Sequence, residues 1–126
     1  MNARPRKWLL RAAPIAWCII IFALSAQSDP PGGGILDFIP FADKIAHFFL
    51  YAILGWLAMS ALKYEKTAAL ARHAFLIAVI FCALYGITDE YHQSFVPGRI
   101  PDVMDWTADT LGGVVGCAIY SWFLRG

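Results

Sequence analysis

The chain has 126 residues, of which 60% are hydrophobic and 15% charged, and its net charge is +1. Soluble domains run nearer about 45–50% apolar and about 25% charged, so an ordinary water-soluble core is excluded. A basic nucleic-acid surface and an acidic tail are excluded as well, and no nucleic-acid partner is expected. One domain over residues 1–126 is expected: an all-α polytopic membrane protein with four transmembrane helices in one bundle. Nothing alternates with the period of two that strands require, and only helices or closed barrels satisfy their backbone in lipid.

The predicted helices cover about 8–26, 45–62, 73–92 and 103–124, each near the roughly 20 residues that cross about 30 Å of hydrocarbon. The first contains "WLLRAAPIAWCIIIFALSA", with Pro14 expected near its start, where a missing N–H is tolerated. Its basic start and small-residue end also fit a signal peptide; cleavage there would leave three spans. The following link, "QSDPPGGGILDFIPFADK", is rich in helix breakers. Its residues Ile35, Leu36, Phe38, Ile39 and Phe41 either rest on the bundle or dip into the interface. Cys18, Cys82 and Cys117 all lie in apolar runs, an odd and scattered set that gives no disulfide frame and no zinc spacing.

Charge orients the bundle. Arg4, Arg6, Lys7 and Arg11 open the first run, Lys63, Lys66 and Arg72 separate the second from the third, and Arg125 ends the chain. The positive-inside rule puts these segments, and both termini, in the cytoplasm. The other two links then face outward with nearly all the acids. Trp8, Trp106 and Trp122 suit interface anchors, whereas Trp56 sits mid-run and reads as packing.

Helical spacing gathers polar residues at the outer end. Asp43, His47 and Tyr51 form a stripe on the second helix. Gly86, Glu90 and Gln93 share a face of the third, with Asp89 and His92 beside them. Asp105, Asp109, Gly112 and Gly116 form a stripe on the fourth, the two acids about 6 Å apart along the axis. Asp43 and Asp102 suit helix caps, and Asp105 a capping box. "VPGR" is a tight turn. Gly112-x-x-x-Gly116 permits close helix contact or an oligomer contact. Capping does not account for Asp109, two turns into its helix, where a charge must face a partner or water. Arg99 is expected to grip Glu90, Asp105 or Asp109 bidentately.

"DKIAHFFLY" at 43–51, followed by "DEYHQSFVPGRIPDVMDWTADTLGGVVG" at 89–116, resembles the VanZ-like family of small bacterial membrane proteins. The matching positions are Asp43, Lys44, His47 and Tyr51, then Glu90, Gln93, Phe95, Pro97, Gly98 and Arg99, then Asp105, Gly112 and Gly116. "LSAQS" at 24–28 resembles the end of the family's first helix. One position departs: Asp109 stands where the family more often carries Asn. The resemblance implies a multi-pass protein of the bacterial cell membrane and a link to teicoplanin-type glycopeptide resistance. It implies no established mechanism.

Three functions compete on these residues. The first is a binding or accessory protein whose outer pocket holds an envelope lipid head group, a peptidoglycan precursor or a glycopeptide. Its binding residues would be Asp43, Lys44, His47, Tyr51, Glu90, Gln93, Arg99, Asp105 and Asp109. The second is an enzyme on a lipid-linked substrate, with Glu90 or Asp105 as acid or base and His47 assisting. The third is a scaffold in which the polar knot locks helices. No cofactor and no metal site is expected. A metal version through His47, His92 and carboxylates is the weaker form of the enzyme, since no His-x-x-x-His spacing occurs.

Overall fold

The computed structural model describes residues 4–28 and 38–124, so the Pro/Gly-rich part of the first link, with Ile35 and Leu36, lies outside the described residues, as does Arg125. The chain forms α1 (Arg4–Ser25), α2 (Ala42–Lys63), a short α3 (Ala68–Arg72), α4 (Ala74–Gln93) and α5 (Val103–Phe123). No strand occurs among the described residues. The four long helices match the expected runs within a few residues. The one-turn α3 was not expected; it occupies the link between α2 and α4.

Three helices are long and apolar enough to cross a membrane: Arg6–Ser25, Ala42–Lys63 and Ala74–Gln93. That is one fewer than expected. At 21 residues α5 has the length, but Asp105, Asp109, two threonines and three glycines dilute its apolar character. With large apolar side chains exposed along α1, α2 and α4 and no water to pair stray backbone groups in hydrocarbon, this is a membrane protein.

Pro14 lies inside α1 rather than at its start. The helix begins ten residues earlier, at Arg4, so the ring removes the hydrogen bond that the Leu10 carbonyl would otherwise accept. Pro14 is buried against the bundle. Side-chain hydrogen bonds tie α1 down further along. Trp17 Nε1 donates to the Leu50 carbonyl at 2.8 Å, and Tyr85 OH donates to the Cys18 carbonyl at 2.5 Å. At the opposite end of the bundle from the polar cluster, Arg11 grips Glu65 bidentately, at 2.7 and 2.8 Å. That contact holds the Glu65 carboxyl below its ordinary range and joins α1 to the α2–α3 link.

The tightest contact is between α2 and α5, and glycine makes it. A Cβ on Gly112 would stand 2.1 Å from the Phe48 carbonyl oxygen, and one on Gly116 1.9 Å from that of Ala52. On the other helix, a Cβ on Gly55 would stand 2.5 Å from the Gly113 carbonyl oxygen. Lipid tails are as apolar as leucine, so helices in a bilayer associate by close packing, and small residues allow the approach. Gly112 and Gly116 are thus buried within the chain, against its own α2. Below this contact Ala58, Met59, Ala74, Ala78, Cys117 and Tyr120 close an apolar core, with Trp56 packed edge-on against Tyr120.

These contacts predict a large effect from a small change. Gly112→Ala and Gly116→Ala each force a methyl into backbone, and overpacking of this kind costs about 3 kcal/mol. Thermal unfolding in detergent should show both variants melting well below the wild type. Leu111→Ala, on the exposed side of α5, should change little. A Gly116→Ala chain that melts with the wild type would mean the two backbones are farther apart than described.

Candidate functional site

The C-terminal ends of α1 and α4 and the N-terminal ends of α2 and α5 lie at one end of the bundle. The polar residues of these four ends converge in two layers. The inner layer is buried and centred on Asp89 and Asp109. The outer layer is a rim of charges around Lys44.

In the inner layer His47 Nδ1 lies 2.7 Å from Asp109 Oδ1. An ionised carboxylate only accepts, so the ring donates. Asp109 is completely buried. Its second oxygen, Oδ2, meets no donor among the described residues. That oxygen faces α4, 3.1 Å from where a Cβ on Gly86 would stand. Glycine at 86 therefore makes room for the carboxylate. One turn on, Asp89 is also buried, but both its oxygens are engaged. Ser25 Oγ donates to Oδ1, and Tyr51 OH donates to Oδ2 at 3.2 Å. Gln93 Nε2 reaches the same serine oxygen at 3.4 Å. Four helices thus meet through side chains at one level.

In the outer layer Lys44 Nζ reaches three carboxylates: Asp43 at 2.9 Å, Asp102 at 3.0 Å and Asp105 at 3.2 Å. Asp102 also caps α5, its side chain accepting from the Met104 N–H at 2.9 Å. That N–H, and then Lys44, hold the Asp102 carboxyl below its ordinary range, so it is ionised at neutral pH. In a capping box the acid at the third helical position returns to the cap's own N–H. Here Asp105 holds that position but turns inward to Lys44. The Asp102 N–H is taken instead by Glu90 Oε2 of α4, at 2.9 Å. Glu90 Oε1 is buried with no donor among the described residues.

Several expectations are corrected. Arg99 does not grip Glu90, Asp105 or Asp109. Its Nε donates to the Gln27 carbonyl at 2.7 Å and its Nη2 to that of Leu24 at 3.1 Å. The last carbonyls of a helix lack partners within it, and a guanidinium with several planar donors can satisfy two at once. Arg99 therefore ties the turn to the end of α1. Asp43 does not cap α2. The cap position is Phe41, in the left-handed region with φ 57° and with no side-chain hydrogen bond. His92 stands apart from the carboxylates, stacked on Phe22 with ring centroids 4.2 Å apart.

Of the expected site residues, His47, Tyr51, Gln93 and Asp109 belong to the inner layer. Asp43, Lys44, Glu90 and Asp105 belong to the outer. Ser25 and Asp102 complete the site beyond that set, and Asp89 proves central. Ser25 stands in the "LSAQS" stretch whose resemblance pointed to the end of the first helix. Asp89 stands one residue from Glu90, on the face with Gly86.

Between α4 and α5 a cleft of about 360 Å³ opens beside this cluster, lined by Ile87, Glu90, Pro101, Asp102, Val103 and Trp106. Trp106 is fixed by its Nε1, which donates to the Ala83 carbonyl at 2.9 Å. The walls are apolar and the polar end is acidic.

Compared with protein families, residues 12–124 match the family model described as VanZ/LLP1. No curated protein and no solved structure matches.

The Arg99 geometry predicts a specific loss. Lysine at 99 keeps the charge but not the fork of donors, and a lost hydrogen bond to a charged group costs about 1.5–3 kcal/mol. Arg99→Lys should lower the unfolding temperature nearly as much as Arg99→Ala. A lysine variant as stable as the wild type would show that charge alone suffices there.

Proposed function

The chain belongs to the VanZ/LLP1 family, and on that premise we propose that it binds a cell-envelope lipid in the cleft between α4 and α5. Ile87, Val103 and Trp106 face the lipid chain, and Glu90 meets the head group. The observation that carries this reading is the cleft itself. Its apolar walls end at Glu90, one of whose carboxylate oxygens, the buried Oε1, no donor among the described residues reaches. A carboxylate only accepts hydrogen bonds, so the head group it suits brings donors: sugar hydroxyls or an ammonium. Both nearby cations are already engaged, Lys44 by three carboxylates and Arg99 by two carbonyls. A bare anionic head group is therefore poorly served. A glycopeptide with amino-sugar donors has the same chemistry, which is how a resistance role would connect to this site.

In the same reading α5 crosses the bilayer beside α2. Its glycines follow α2 from Phe48 to Ala52, and its outer face exposes Leu111, Val115, Ile119 and Phe123. Four spans put both termini in the cytoplasm of a bacterial cell by the positive-inside rule, and the cleft faces outward. A second reading, acid/base hydrolysis of a lipid-linked substrate, is favoured by one contact: the buried His47–Asp109 pair at 2.7 Å, which holds an imidazole in one orientation beside three further acids, Asp89, Glu90 and Asp105.

Mass spectrometry of the chain extracted in mild detergent should find a retained lipid with a hydroxylated or aminated head group. Ile87→Trp fills the cleft from a lipid-facing position and should abolish retention without lowering the melting temperature. Added teicoplanin should displace the lipid if the site accepts glycopeptides. Retention undiminished in Ile87→Trp would rule out the cleft. Turnover of a lipid-linked sugar that disappears in His47→Gln would favour the enzyme instead.

The orientation is checked separately. Ser94 is exposed at the end of α4. In a chain whose native cysteines are replaced, Ser94→Cys should react with an impermeant thiol reagent added outside the cell. Labelling only after lysis would invert the bundle.

A further inference from the structure

The inner layer has more acceptors than its donors can satisfy. Asp89 and Asp109 present four carboxylate oxygens, and Ser25, Tyr51 and His47 supply donors to three of them. The fourth, Asp109 Oδ2, is fully buried and unpaired among the described residues. Leaving a buried acceptor unpaired is costly, and more so when the group is charged. The one group beside Asp109 that can carry positive charge is the His47 ring, which meets only Oδ1; Lys44 and Arg99 are held elsewhere.

The Asp109 carboxylate also belongs to a set of groups spaced as ligands. One ring nitrogen of His47 and one carboxylate oxygen each of Asp89 and Asp109 lie within 4.8 Å of one another, and all three residues are buried. A second trio with the same spacing, His47, Glu90 and Asp105, adjoins it. It carries the other unpaired buried oxygen, Glu90 Oε1. Bond lengths of about 2.0–2.2 Å to nitrogen and oxygen put neighbouring ligand atoms roughly 3 Å apart around one ion, within small side-chain shifts of this arrangement.

We propose that this pocket is a divalent-cation site, with His47, Asp89 and Asp109 as its ligands and Glu90 and Asp105 on the approach. One imidazole with carboxylates suits zinc or manganese better than the oxygen-seeking magnesium and calcium. Gly86 belongs to the site, because any side chain there would press on Asp109 Oδ2 and Trp106. The expectation of no metal came from the absence of a local histidine spacing. These ligands come from three helices, so local spacing carries no signal of them. The site does not depend on the lipid reading, since the cation would be bound in the interior whether or not the cleft is filled.

The test is calorimetric titration of Zn²⁺ into the full chain, purified in detergent and stripped with a chelator, without added lipid. One saturable equivalent is expected, with at least tenfold weaker binding in Asp109→Asn and in His47→Gln. Glu65→Gln, at the opposite end of the bundle and outside both trios, should bind like the wild type. Zn²⁺ should also raise the unfolding temperature of the wild type, reversibly on chelation. This readout stands even if Asp109→Asn does not fold. The proposal is overturned if neither Zn²⁺ nor Mn²⁺ binds saturably below about 1 mM, an affinity of about −4 kcal/mol. It is equally overturned if Asp109→Asn binds as tightly as the wild type, which would mean that a proton or a water satisfies the buried oxygen.

Discussion

The approach of α5 to α2 sets the position of everything else. Gly112 sits on the Phe48 carbonyl and Gly116 on that of Ala52, so the contact steps by four residues along both helices. Residues four apart lie on the same face of a helix, and over one or two such steps the face drifts little. Continued toward the polar end, the same register brings His47, next to Phe48, level with Asp109, one turn before Gly112. The 2.7 Å contact between them thus follows from the glycine contact. Side chains at 112 and 116 would part the helices and the histidine from its acid together.

That geometry creates an electrostatic problem, which the bundle solves only in part. Burying carboxylates costs several kcal/mol each unless donors or opposite charges replace water. Asp89 is met by a serine from α1 and a tyrosine from α2. The rim acids are gathered by Lys44. Asp109 and Glu90 each have one oxygen unpaired among the described residues. A scaffold whose polar groups served only to lock helices would gain by pairing both, or by replacing them with apolar side chains. The engaged oxygens account for how the helices are held, and the unpaired ones are the observation on which the proposed lipid and cation sites rest.

Much of this was legible in the sequence because its evidence is periodic. Four apolar runs gave four long helices, and stripes at steps of three and four placed His47, Tyr51, Gln93 and Asp109 toward one interior. What was not legible depended on relations between helices. Arg99 follows a tight turn among acids, so pairing it with a carboxylate was the natural expectation. Its true partners are the Leu24 carbonyl of α1 and the Gln27 carbonyl just beyond that helix, and every residue has a carbonyl, so no residue type marks such a partner. Asp105 occupied a capping-box position, but Glu90 reached the cap's N–H from α4. Asp43 looked like a cap until Phe41 took the cap position in the left-handed region. Local patterns state what a residue can do, and packing selects which of several partners it meets.

The helix that falls short of the membrane criterion is the one that carries most of the chemistry. Asp105, Asp109 and three glycines interrupt the apolar run of α5, for reasons that serve the site. The glycines let α2 approach, and the acids face inward to His47 and Lys44. Its exposed face keeps Leu111, Val115, Ile119 and Phe123 for the hydrocarbon. An average over the helix merges these two faces and leaves α5 outside the three helices apolar enough to cross a membrane. In a bundle, stability in lipid depends on which face each group occupies, and a charged group on an inward face is tolerated when the interior supplies its partners. The inward acids of α5 therefore mark the wall of a polar interior within the bundle, and the residues to alter first are Asp109 of that wall and Glu90 of α4, where the interior is left incompletely paired.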